Sequence, residues 1–239
     1  MATDTSRGII RFFEDFLYDV VADKPEYSVD TDPAVEIVAT AIGGVVRTTM
    51  DAGQTNIGGM SFGQLQWSAY DNYLYGEWRV KFSAVPTTAE RVFVGFTDVQ
   101  EDTLTEMPFT GATTVTTVAT NPTDVIGFFW EGDMTGNYFA PASQKTDSLV
   151  VHGSANMSAD EKRLATFVID QWYTLGVRIE SGAKHVTFTV DGKTVYLYKN
   201  ADTAAIADVP LTPYFVVQEG TTAINFDVDY VYVEAGRDN

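Results

Sequence analysis

Two carboxylate pairs mark where this chain could act on a substrate. Glu131 and Asp133 flank a single glycine and follow Trp130, and Asp227 and Asp229 sit in an alternating run near the C-terminus. Side chains two apart on a strand share one face and stand about 7 Å apart, so either pair can serve one substrate. Two carboxylates across a glycosidic bond are the usual machinery for sugar hydrolysis, and Trp130 offers a flat apolar surface for a sugar ring. Trp130, Glu131 and Asp133 are therefore the candidate carbohydrate site. Neither pair continues into a row of three acids: Thr135 and Gly136 follow Asp133, and Val231 follows Asp229. The competing reading is ordinary loop acids and solvated strand acids.

Other chemistry is thinner. Gly59-Met60-Ser61-Phe62-Gly63 matches G-x-S-x-G, but that elbow needs a buried strand, a following helix and a histidine base. The chain has two histidines, His152 and His185, and no cysteine. His185 reads as a strand residue in a hairpin, so neither a serine hydrolase nor a zinc centre is expected. Asp98, Glu101 and Asp102 could offer oxygen ligands to calcium, without the fixed spacing of a calcium loop. No cofactor or metal is expected. Trp67, Trp78, Trp130 and Trp172 read as core residues before ligand platforms.

The elements that must position these groups are strands. Within Gln171–Lys199, Tyr173, Leu175, Val177 and Ile179 share one face, and Val186, Phe188 and Val190 form a second stripe after a turn at Ser181-Gly182. Asp191-Gly192 is a two-residue hairpin signal. Three antiparallel strands with one apolar face must pack on another sheet. Further strands are expected over Val35–Thr40 and Val45–Met50 around Gly43-Gly44, then over Gly63–Tyr70, Leu74–Ser83, Arg91–Thr97, Asp124–Trp130, Leu164–Ile169, Tyr214–Gln218 and Ala223–Glu234. Glu101–Asn121 reads as a long loop with room for a short strand, and Gly132–Ala159 as a second long loop. Ser158-Ala159-Asp160-Glu161 reads as the start of a turn or two of helix. Ile9 to Val21 fits either a helical stripe or an extended arm, and the arm or first strand is preferred. The prolines at Lys24-Pro25 and Asp32-Pro33 place a loop after it. The expected organisation is an N-terminal arm and first strand over residues 1–34 and a jelly-roll domain over residues 35–239.

Composition bounds the partners. The chain has 239 residues, 13% aromatic, with 33 acidic and 15 basic residues and a net charge of −18. That charge repels phosphate backbones, so nucleic acid is not an expected partner. It also discourages edge-to-edge pairing of a β-rich protein. No apolar run approaches the roughly 20 residues of a membrane helix, and no signal-peptide pattern is visible. With no cysteine, these features point to a protein made in a reducing cytoplasm.

Trp172-Tyr173-x-Leu175-x-Val177, followed by Val186-x-Phe188-x-Val190-Asp191-Gly192, resembles the late strands of concanavalin A-like lectin/glucanase and laminin G-like jelly rolls. Val228-Asp229-Tyr230-Val231-Tyr232-Val233 is similar to their closing strand, and Phe13-Glu14-Asp15-Phe16 to the opening strand that pairs near it. The resemblance implies an all-β, two-sheet antiparallel jelly-roll sandwich with a short N-terminal arm. Glycoside hydrolases of this fold carry a Glu-x-Asp-x-(x)-Glu row, of which only Glu131-x-Asp133 is present. A narrower resemblance, in overall pattern, is to capsid-associated proteins of tailed bacteriophages. It implies a non-enzymatic virion structural protein, a capsid decoration or cement protein on the capsid surface, assembled in the host cytoplasm. Its partners would be the major capsid protein and copies of itself, with Arg11, Phe12, Phe13 and Phe16 as docking residues. The competing reading of those aromatics is that they complete the sandwich's own core. The alternative function is a carbohydrate-binding or glycan-cleaving jelly-roll module on a tail fibre or polysaccharide-active protein. A bacterial adhesin module is a third reading, disfavoured by the missing export signal.

Overall fold

A computed structural model describes residues 9–17, 28–29, 34–38, 43–53, 55–63, 66–70, 72–84, 90–99, 107–110, 117–118, 122–132, 136–152, 157–180 and 182–236. Asp133, Glu101 and Asp102 lie outside them. In chain order the strands begin with β1 (Ile9–Glu14), β2 (Ser28–Val29), β3 (Ala34–Ile37), β4 (Val46–Met50) and β5 (Ile57–Ser61). The long β6 (Tyr73–Phe82) and β7 (Arg91–Thr97) follow, then the short β8 (Phe109–Thr110) and β9 (Thr117–Val118). Next come β10 (Val125–Glu131), β11 (Ala140–Lys145), β12 (Ser148–His152) and a helix, α1 (Ala159–Ala165). The chain ends with β13 (Tyr173–Glu180), β14 (His185–Val190), β15 (Lys193–Lys199), β16 (Thr212–Gln218) and β17 (Ile224–Gly236).

All of these strands except β8 and β9 form two antiparallel sheets. The first has the order β15-β14-β13-β6-β17-β4-β3, with β1 also on β17, and the second runs β12-β11-β10-β7-β16-β5-β2. Strand β17 is long enough to carry two partners on one edge: Ile224–Val228 pairs with β4, and Val231–Gly236 pairs with β1. The opening strand thus lies against the closing one. The β13–β14–β15 meander matches its sequence pattern, and Asp191 and Gly192 take the positive φ values, 49° and 72°, that the two-residue turn demands.

The two sheets bury their facing stripes against each other. Strand β6 alternates strictly between half-buried and buried, with Leu74, Trp78, Val80 and Phe82 inward. Trp78 meets Phe96 of β7 edge to face at 5.1 Å, and Phe82 meets Trp130 of β10 at 5.6 Å. Gly76 lacks a side chain because the Phe96 and Trp78 rings fill the space where its Cβ would stand.

Three expectations are corrected. Among the described residues of Gly63–Tyr70 there is no strand, only an isolated bridge from Trp67 to Leu211; the extended segment lies earlier, in β5. Leu164–Ile169 is not a strand either: Leu164 and Ala165 end α1, which Ser158 starts with a full capping box through Glu161. The span Gly132–Ala159 is not one long loop, since it contributes β11 and β12. Their backbone completes the second sheet although Ala140-Pro141-Ala142-Ser143 has no β-type alternation. Glu101–Asn121, expected as a long loop with room for a short strand, carries two two-residue strands, β8 and β9, paired with each other.

Candidate functional site

The sequence-selected sugar site divides between the core and a locked ion pair. Along β10 every residue is buried. Alternation sends Ile126, Phe128 and Trp130 toward the first sheet, where Trp130 touches Phe82 and Phe167 and is 1% exposed. Trp130 is thus a core residue and no stacking platform. Val125, Gly127, Phe129 and Glu131 face the other way, onto the outer face of the second sheet. Glu131 is buried there, with Arg91 Nε donating to its Oε1 at 2.6 Å while Arg91 Nη1 donates to Gln218 at 2.7 Å. The three residues sit side by side because Arg91 is the register partner of both Glu131 and Gln218.

The rest of that outer face is filled by rings. Phe93, Phe129 and Tyr214 are wholly or almost wholly buried, and Phe109 of β8 packs on Phe93 at 5.4 Å and on Phe129 at 5.9 Å. Burial raises the Tyr214 phenol well above its ordinary pKa. Part of the segment expected to be a long loop with a short strand is therefore a cover on this sheet.

The second carboxylate pair does form a site, on the outer face of the first sheet. A bulge in β17 opposite β6 places Asp229 beside Tyr230, so both project outward near Arg79. Asp227 and Asp229 then line one pocket of about 280 Å³ with Val38, Val45, Arg47, Arg79, Lys81 and Trp172. Asp227 is 2% exposed and takes a two-point contact from Arg47, Nε to Oδ1 at 2.7 Å and Nη2 to Oδ2 at 2.9 Å, with Lys81 Nζ at 3.2 Å from Oδ2. Asp229 pairs with Arg79. Hydrogen bonding to Asp227 holds the Arg47 guanidinium above its ordinary pKa, against the opposing effect of burial. Carboxylates gripped in this way have their oxygens already occupied by cation donors of the pocket itself.

Trp172 closes the pocket. It is half-buried, with the Arg79 guanidinium carbon 5.0 Å and Lys81 Nζ 4.8 Å from its ring centroid. Of the four tryptophans assigned to the core, Trp67, Trp78 and Trp130 are buried and Trp172 is the exception. Its placement was readable: Tyr173 begins the inward stripe of β13, so its neighbour must face outward. Arg47, Arg79 and Lys81 carry no distinctive signal in the sequence, because strand cations are common; only the fold brings these three, from the two strands β4 and β6, together.

The same face continues as a tyrosine row. The Tyr75 and Tyr230 hydroxyls donate to Glu77, and those of Tyr73 and Tyr232 to Glu234, which also accepts from Arg11 Nε at 2.7 Å. Hydrogen bonds, chiefly from Tyr73 and Arg11, pull the Glu234 carboxyl down to about 2. Desolvation and the bond to Glu234 push the Tyr73 phenol up to about 12.

The proposed docking residues separate as well. Phe16 is wholly buried and packs near Phe62, offering nothing to a partner, and Phe12 is half-buried against Phe62 at 5.4 Å. Phe13 is 57% exposed beside Tyr230, and Arg11 lies at the surface on Glu234. Ser61 of the G-x-S-x-G run is buried within β5, and the next element among the described residues is the strand β6, not a helix. Asp98 accepts from Thr123 at 2.6 Å, and among the described residues no three metal-ligating side chains cluster.

No protein-family model and no curated protein matches the chain. Solved structures do. A Shewanella oneidensis MR-1 protein of unknown function superposes with a TM-score of 0.63 at 12% identity, over 99% of this chain and 90% of the other. The Emp47p carbohydrate recognition domain gives 0.58 at 12% identity, over 98% and 100%. SCLam, a non-specific endo-β-1,3(4)-glucanase from family GH16, gives 0.59 at 14% identity, over 96% and 92%. Likeness at this identity speaks for architecture: the chain is a two-sheet antiparallel sandwich with the concanavalin A-like jelly-roll fold.

Proposed function

We propose that this protein is a carbohydrate-binding jelly roll that holds a saccharide without cleaving it. The observation that carries the reading is the Trp172 pocket, where an indole stands beside hydrogen-bonding side chains of fixed geometry. An aromatic wall with a few convergent polar groups is the usual form of a small-ligand site, and the apolar C–H face of a pyranose suits an indole. That solved structures of this fold include a carbohydrate recognition domain and a glucanase supports the reading by analogy. Hydrolysis is disfavoured because Glu131 is buried on Arg91, and Asp227 and Asp229 are held by cations. The test is a saccharide panel followed by affinity electrophoresis and reducing-end release. Retardation without release is expected; release that disappears in Glu131→Gln would make the protein an enzyme.

A second reading, a non-enzymatic virion protein docked on a phage capsid lattice, is favoured by one observation. Ile9, Phe13 and Leu17 expose 39%, 57% and 64% of their surface along the N-terminal strand and just beyond it. Such a strip of apolar side chains suits a protein contact. Co-sedimentation with capsids, lost on Phe13→Ser, would support it, whereas protein left wholly in the supernatant would sink it.

A further inference from the structure

We infer that the Trp172 pocket takes an acidic saccharide, a sugar bearing a carboxylate or sulfate group. This rests on the carbohydrate-binding reading and narrows its ligand class. The chain has only 15 basic residues against 33 acidic ones. Three of them, Arg47 on β4 with Arg79 and Lys81 on β6, nevertheless line one pocket with two carboxylates.

The balance of donors and acceptors points the same way. Both oxygens of Asp227 are engaged, Oδ1 by Arg47 Nε and Oδ2 by Arg47 Nη2 and Lys81 Nζ. Asp229 Oδ2 is engaged by Arg79. The acceptors are therefore largely taken by the pocket's own cations. The donors are in surplus, since a guanidinium carries five N–H groups and an ammonium three. A neutral sugar, whose hydroxyls are best bound by carboxylate acceptors, fits this lining less well than a ligand that brings acceptor oxygens. A guanidinium fork matches the geometry of a carboxylate or sulfate. Glu36, the register partner of Arg47 on β3, adds a negative charge at the rim. It is exposed, so solvent and salt screen it with a Debye length of about 8 Å at physiological ionic strength. Trp172 separates a sugar from a bare anion, because an inorganic ion gains nothing from the indole face.

Calorimetry on the full chain tests this with alginate and polygalacturonate oligosaccharides, chondroitin sulfate oligosaccharides, laminarin oligosaccharides and sodium sulfate at matched ionic strength. The acidic saccharides are expected to bind at least about tenfold more tightly than laminarin oligosaccharides, with affinity falling as salt rises. Trp172→Ala and, separately, Lys81→Gln are expected to weaken them by about tenfold or more, the scale of one lost charge-assisted or cation–π-supported contact. Thermal unfolding of both variants separates lost binding from lost fold, and Lys81→Gln is the milder change. Laminarin bound as tightly as the acidic sugars would overturn the acidic preference and leave the carbohydrate reading standing. If no saccharide binds, both fail. Sodium sulfate competing as well as an acidic oligosaccharide, with no effect of Trp172→Ala, would reduce the pocket to a simple anion site and overturn the inference.

Discussion

Arg91 Nε lies 2.6 Å from Glu131 Oε1, on adjacent strands of the second sheet. The contact turns the one described acid of the incomplete catalytic row into a structural partner. Glu131→Gln should destabilise the fold by about 1–3 kcal/mol, because a partly buried guanidinium loses its countercharge. Denaturant unfolding measures this. An unchanged midpoint would mean that solvent, not Glu131, satisfies Arg91.

Phe16 and Phe13 should respond in opposite ways. Phe16→Ala, which empties a wholly buried site, should cost about 3–5 kcal/mol. Phe13→Ala, at a position 57% exposed, should stay within about 0.5 kcal/mol. Equal losses on chemical denaturation would show that the N-terminal strand does not pack as described.

Glu234 predicts a stability loss in acid. Its carboxyl is held at about 2 against an ordinary 4.5, so the folded form keeps it ionised where the unfolded chain takes up a proton. The contribution is full above roughly pH 4.5 and is lost as pH falls toward 2. Glu234→Gln should flatten that limb of the melting-temperature profile, and a variant that keeps the full slope would assign it to other carboxylates.

Tyr73 predicts the opposite limb. Its phenol is raised to about 12 from 10, so the unfolded chain loses the proton first. Stability is full below pH 10 and falls as pH rises toward 12. Tyr73→Phe should remove part of that alkaline loss, which unfolding at pH 9 and pH 11 would detect.

Gly192 sits at a φ of 72° with open space where a Cβ would stand. Gly192→Ala therefore meets backbone strain and no clash, and should cost about 1–2 kcal/mol. A larger loss with a changed denaturant slope would mean that the β14–β15 register had slipped.

Much of the architecture was legible in the chain itself. The alternation in β6, β13, β14 and β17, the Asp191-Gly192 turn and the Ser158–Glu161 capping box are local patterns, and local sterics and hydrogen bonds determine them. The pairing of the opening strand with the closing one also followed, because a resemblance of whole strands carries their order. The segment Ala140-Pro141-Ala142-Ser143 was not legible: it is a strand because β10 and β12 flank it, and small residues show no period when both faces are covered.

The site shows the same division. Residue types alone named two acidic pairs, and period two placed each pair on one face, but neither could say what stands opposite. Register brought Arg91 onto Glu131 and turned Trp130 inward, while a bulge at Asp229 and the meeting of β4, β6 and β17 assembled Arg47, Arg79 and Lys81 around Trp172. Side-chain period is a property of one strand and is written in the sequence. Cross-strand neighbours depend on pairing between residues as far apart as Arg47 and Asp227, and only the folded sheets decide them.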